Sequence, residues 1–157
     1  QRLGAVRPRT ASVGGQALPY TYKWRDTMAA LKEMAGAGQI DPYDGILLEY
    51  ANPLTGGPTM PTIGCWVQWL PAGATTRPHR HASSTICHVV QGEGVTTIGE
   101  KKGVGDDFTW GPKDCFFVPS WKWHQFRNAS RKEPAIIFSV TDRPVLEGLG
   151  LYREEQG

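Results

Sequence analysis

At 157 residues the chain is about one domain, long enough to bury roughly two thirds of the surface its unfolded form exposes. Its 17 Lys and Arg against 15 Asp and Glu leave a net charge of +2 with no basic block, too mild a field to hold nucleic acid. Apolar runs stop far short of the ~20 residues that span a bilayer and no secretory signal is visible, so no membrane contact and a cytoplasmic location are expected.

The first residue is Gln1, not Met, and the chain is expected to be trimmed or a piece of something longer. Residues 1–19 carry Arg, Gly and Pro without periodicity and read as an extended arm. Trp24, Met28, Leu31 and Met34/Ala35 then recur at helical spacing, with Asp26 near the start and Gly36 and Gly38 to stop the turn. That predicts one amphipathic helix laid on a sheet. With Tyr20 and Tyr22 ahead of it, the segment carries enough apolar surface to predict an interface, in a homo-oligomer or against a second domain.

Asp41 to Gly45 reads as a turn, Ile46 to Tyr50 as a strand and Asn52 to Pro58 as a loop. From Thr62 onward the chain becomes short β runs separated by turn residues. These are Ile63 to Leu70, a run through His79 that ends at Gln91 to Gly94, Val95 to Ile98, Phe108 to Trp110, Cys115 to Val118, His124 to Arg127 and Ala135 to Val140. Many short strands at close spacing predict an antiparallel sandwich or barrel. Asp106-Asp107 reads as a hairpin turn, since no further spaced carboxylates support a calcium loop. The tail Asp142 to Glu154 allows a short helix with Pro144 in its first turn. Cys65, Cys87 and Cys115 are odd in number and sit in apolar runs, which predicts reduced, buried thiols; no CxxC or Cys/His spacing points to a zinc finger.

Three of the four histidines carry the chemical signal. His79 and His81 are two apart, so on a strand both imidazoles leave the same face, and His124 waits downstream as a third candidate ligand. Thr85 and Cys87 share their parity and are expected in the same pocket if no bulge intervenes. His88 and Arg80 have the opposite parity: His88 is expected on the outer layer, Arg80 in a surface or interface ion pair. Trp66, Trp69, Trp121 and Trp123 read as core or rim aromatics, the last two also placed to close a pocket mouth over an aromatic ligand.

Gly73, His79, His81 and Gly92, followed by Pro119, His124 and Asn128, resemble the two motifs of the cupins. Thr85 stands where the first motif has Glu, and Lys113 and Trp121 where the second has its two glycines. The resemblance implies an all-β cupin double-stranded β-helix, a jelly-roll barrel, with an N-terminal arm and one short helix. The implied division is arm and helix 1–50, barrel 51–140 and tail 141–157. Replacing the Glu by Thr85 leaves a three-histidine site, which speaks against a manganese oxalate-type or isomerase cupin.

The Asn52 to Pro58 loop, the His79-Arg80-His81 segment and the tail together are similar to the C-terminal half of the gentisate-type dioxygenases, two-cupin enzymes that include salicylate and 1-hydroxy-2-naphthoate dioxygenases. The resemblance implies Fe(II) on His79, His81 and His124, and an aromatic hydroxy-acid opened by O2 between its hydroxyl- and carboxyl-bearing carbons. Three neutral imidazoles suit Fe(II) and leave coordination positions for both reactants. Gln68 lies eleven residues before His79, where that family's catalytic half has a pocket Gln, and is the candidate catalytic residue. Cys87 and Phe126 stand where that half carries Arg and His. They favour the competing expectation of a non-catalytic cupin half that supplies packing and oligomer contacts.

Overall fold

A computed structural model describes residues 20–157; the arm expected over Gln1–Pro19 lies outside the described residues. These residues form helix α1 (Trp24–Gly36), strands β1 (Ile46–Glu49), β2 (Gly64–Leu70), β3 (His79–His81), β4 (Thr85–Gln91), β5 (Gly94–Lys101), β6 (Val104–Trp110), β7 (Cys115–Val118), β8 (Trp123–Asn128) and β9 (Ala135–Thr141), helix α2 (Arg143–Gly148) and strand β10 (Glu154–Gln156). The strands make two five-stranded sheets, β1-β2-β9-β4-β7 and β10-β3-β8-β5-β6. Neighbouring strands run antiparallel. The sheets face each other as the expected jelly-roll barrel.

Strand alternation feeds two separate cores. On β9, Ala135 and Ile137 point between the sheets and join Leu70, Cys87, Val89, Trp110, Val118 and Phe126. Ile136, between them in sequence, points out and packs with Val67, Ile46 and Leu31 under α1. Leu31 is fully buried there, which is worth about 1.5–3 kcal/mol for a side chain of its kind. Met28, Met34 and Ala35 complete the helix's apolar stripe as its spacing predicts. Trp24 does not join it: at the first helical position it stays 44% exposed.

Several local expectations change. Asp106 and Asp107 are strand residues, opposite Ile98 and Thr97, and the hairpin turns instead at Lys101–Val104, where Gly103 takes φ 69°. The cysteines are unpaired, but only Cys87 is buried; Cys65 is half-buried and Cys115 exposed. The run through His79 is two strands, not one. Between His81 and Thr85 the chain leaves one sheet and enters the other.

The two positions where glycine was expected but absent keep a glycine's backbone. Lys113 has φ 74° and Trp121 φ 61°, both in the left-handed region that costs an L-residue about 1–2 kcal/mol. Each ends in a bond the barrel needs: Lys113 N donates to Val89 O at 2.8 Å, and Trp121 N to His81 O at 2.8 Å. Lys113→Gly should therefore raise stability by up to about 1 kcal/mol, the strain relieved less the entropy that glycine loses on folding. Urea unfolding measures this, and a lower midpoint would mean that the Lys113 side chain stabilises the turn by more than the strain costs.

Candidate metal centre

The short strand β3 is held on both sides. His79 pairs in register with His124 of β8, while β10 lays Glu154 opposite His81 and Gln156 opposite His79. This register brings three imidazoles together: ring centroids are 4.2 Å apart for His79 and His124, 4.8 Å for His81 and His124, and 5.9 Å for His79 and His81. One ligand nitrogen from each lies within 4.8 Å of the other two.

The donor chemistry fits a divalent metal. His81 Nδ1 lies 2.8 Å from Ser83 O and His124 Nδ1 3.0 Å from Lys122 O. A carbonyl can only accept, so both Nδ1 atoms carry the proton and the lone pair is left on Nε2. His79 is different: among the described residues its buried Nδ1 has no hydrogen-bond partner of good geometry, and its Nε2 lies 3.6 Å from Asp44 Oδ1. Burial holds all three imidazoles below the ordinary histidine range, His124 furthest, with its two histidine neighbours adding to the effect. Neutral bases with free lone pairs are what a metal requires.

The cluster opens into a solvent-connected cavity between the sheets. Gln68 lines it, is 5% exposed, and donates Nε2–H to the backbone carbonyl of Asp44 at 2.8 Å. Thr85 and Cys87 line it too, as their parity predicts, although the chain changes sheets before reaching them. Burial and, behind it, the Asp44 carboxylate push the Cys87 thiol up to about 12, so it stays a neutral wall residue. Phe126 packs edge-on against His124, with ring centroids 5.7 Å apart.

His88 stands outside the cluster and meets Cys115 Sγ at 3.4 Å. Arg80 points outward, donates Nε–H to Glu155 at 2.7 Å and lies 4.5 and 4.7 Å over the rings of Trp121 and Trp123. Those two tryptophans serve this outer stack, and neither lines the cavity.

Four titratable cavity residues escaped the sequence reading: Asp44, Arg143, Tyr152 and Glu154. Asp44 comes from the turn before β1. Asp41 Oδ1 accepts the amides of Tyr43 and Asp44 at 2.7 and 3.0 Å, and Gly45 at φ 73° completes the turn. A Cβ at Gly45 would sit 2.6 Å from Trp69 O, so the approach of this turn to β2 depends on glycine. Burial, then the neighbouring Asp41 carboxylate, raise the Asp44 carboxyl to about 6. Tyr152, Glu154 and Arg143 arrive from the tail, where Tyr152 Oη donates to Glu154 Oε2 at 2.9 Å.

A metal-competent histidine cluster in the mouth of a two-sheet barrel defines a cupin. The cupin domain profile matches residues 66–141, and the barrel belongs to that family. Among cupins, its relatives are the gentisate- and salicylate-type 1,2-dioxygenases. The chain is 41% identical to a 5-aminosalicylate 1,2-dioxygenase of Comamonas sp, over 99% of its own length and 40% of that protein's. It is also 41% identical to a 1-hydroxy-2-naphthoate 1,2-dioxygenase of Nocardioides sp. (strain KP7), over 88% of its length and 34% of the relative's. A solved salicylate 1,2-dioxygenase from Pseudoaminobacter salicylatoxidans, as an adduct with gentisate, superposes with a TM-score of 0.75 at 29% identity. That match covers 86% of this chain and 36% of the other. The chain thus spans 40% or less of the length of the relatives named here.

The site sets a pH dependence. A histidine whose folded pKa is depressed binds its proton more readily when unfolded, so stability is full above about 6.5 and falls as pH drops below it. Asp44 works in the opposite sense: raised to about 6, it takes up a proton on folding at lower pH and offsets part of that loss. Metal-free protein should therefore lose stability from pH 7 to pH 5 in urea unfolding, and Asp44→Asn should steepen the loss. A flat profile for both would show that the imidazoles are not held as buried neutral bases.

Proposed function

We propose that the chain is one cupin domain of an Fe(II)-dependent oxidoreductase that opens hydroxylated aromatic acids of the gentisate and salicylate class with O2. The observation that carries this reading is the convergence of His79, His81 and His124 in one cavity, with the Nδ1 protons of two of them spent on backbone carbonyls. His79, His81 and His124 are the proposed ligands. Bound there, Fe(II) supplies a Lewis-acid centre with open positions and the redox chemistry for O2.

The chain's own residues prepare the ground for it. Val118 and Phe126 give the cavity apolar walls suited to an aromatic ring. Gln68 fixes the Asp44 turn through the Asp44 carbonyl and keeps its side-chain oxygen as an acceptor for a substrate hydroxyl. Asp44, with its carboxyl raised to about 6, is poised to take the hydroxyl proton at Oδ1 near neutral pH. A cytoplasmic location belongs to the same reading and is supported by the three unpaired thiols.

A second reading is a non-catalytic cupin half that lends packing to a catalytic partner. The neutral Cys87 thiol and the Phe126 ring favour it, because neither can hold an anion or shuttle a proton. The exposed Tyr20, Tyr22 and Trp24 supply apolar surface for such a partner or for a further copy of the chain.

Iron content and oxygen uptake with gentisate, salicylate and 1-hydroxy-2-naphthoate separate the two readings. The first expects one iron per chain and substrate-dependent uptake, the second iron or none without uptake. His81→Ala should keep the barrel folded by circular dichroism and weaken iron more than about a hundredfold, since partners one shell further out are already worth 10–100-fold. Iron bound equally well by His81→Ala would sink the assignment of the ligands.

A further inference from the structure

Arg143 is the one Arg or Lys side chain on the cavity wall among the described residues; the other ionised candidates there, Asp44 and Glu154, are acids. Its guanidinium is fixed from three sides. Nε donates to Glu147 Oε1 at 2.7 Å, and the planar group lies 5.0 Å over the Trp66 ring and 4.2 Å over that of Tyr152. Its backbone is fixed as well. Arg143 N donates to Thr141 Oγ1 at 3.2 Å, Asp142 Oδ1 accepts Ser84 N at 2.8 Å, and Tyr152 N reaches back to Leu146 O at 3.1 Å.

Among the described residues the two terminal nitrogens of Arg143 make no hydrogen bond. Its side chain is only 29% exposed. A guanidinium with Nε spent, two rings against its faces and its outer N–H fork unspent is preorganised for an oxyanion. The cavity that Arg143 lines also holds the histidine cluster, and its walls suit a flat ring.

We propose that Arg143 determines specificity by receiving the carboxylate of the aromatic hydroxy-acid, so that the ring's hydroxyl is turned toward His79, His81 and His124. This rests on the reading of the cavity as an aromatic hydroxy-acid site. It also gives the tail a part in recognition that no strand of the barrel supplies, because Cys87 on the β4 wall carries no charge. The carboxylate stays bound as an anion throughout, and Arg143 transfers no proton.

The test is ligand binding to the whole chain, loaded with Fe(II) without oxygen, followed by calorimetry. Salicylate is compared with salicylamide, which keeps the hydroxyl and ring but has no anion. Arg143→Gln should weaken salicylate by about tenfold to a hundredfold, the range of a charge-assisted hydrogen bond, and salicylamide by less than about threefold. Arg143→Lys should recover part of the loss, because the charge returns without the fork. Iron content and melting temperature should stay close to those of the parent chain.

If the parent chain binds salicylate and Arg143→Gln binds it as tightly, the assignment of Arg143 is overturned while the site reading stands. Equal weakening of both ligands also overturns it, since that is the mark of a residue that only clamps Trp66 to Tyr152. If the iron-loaded parent chain binds neither ligand, the aromatic-acid site itself falls, and Arg143 with it.

Discussion

A single registered pair, His79 opposite His124, is the constraint on which the site depends. β3 is three residues long, and a slip of one residue would send both of its imidazoles to the other face. β8 and β10 flank it and remove that freedom, and the amide of Trp121 adds a third anchor on His81 O. Convergence of the imidazoles is thus a property of backbone pairing before it is one of side chains. The burial that follows keeps them neutral, and neutrality makes them usable as ligands.

The division of polar and apolar residues around this pair is equally economical. Inside the barrel, the apolar cluster closes one end around Trp110, whose Nε1 donates to the buried Thr96 Oγ1 at 2.9 Å. The open end collects the polar residues. At the closed end Asn128, which like Trp110 stands opposite Gly94, ties the strands together: its Nδ2 donates to the carbonyls of Leu70, Pro71 and Glu133 at 3.1, 3.1 and 2.9 Å. A buried amide with three carbonyl partners holds the ends of β2, β8 and β9 in one arrangement and leaves no donor unsatisfied.

Much of this was legible in the sequence because it rests on short-range periodicity. The two-residue spacing of His79 and His81, the parity of Thr85 and Cys87, and the helical recurrence of Met28, Leu31 and Met34 all express local geometry. His124 was reached through motif resemblance, since no spacing rule links residues 45 apart. Asp44, Arg143, Tyr152 and Glu154 carried no local signal: a turn and a tail reach the cavity only through the sheet topology. Reading Asp106-Asp107 as a turn failed for a related reason. Paired Asp residues suit turns, but here they occupy an exposed strand where their side chains meet water.

The edge position of β10 has a consequence for how the cavity opens. This strand is three residues long, with every residue exposed, and among the described residues it pairs only with β3. So small a ladder is among the first parts of a protein to detach in native-state fluctuations, well before the barrel unfolds. Its departure would carry Glu154 away from the cavity and uncover β3. An occupant of the cavity that needs the closed tail must then slow amide exchange and proteolytic cleavage around residues 152–156, by an amount that follows its concentration relative to its dissociation constant. The β10 segment becomes a reporter of occupancy, readable by mass spectrometry without any turnover.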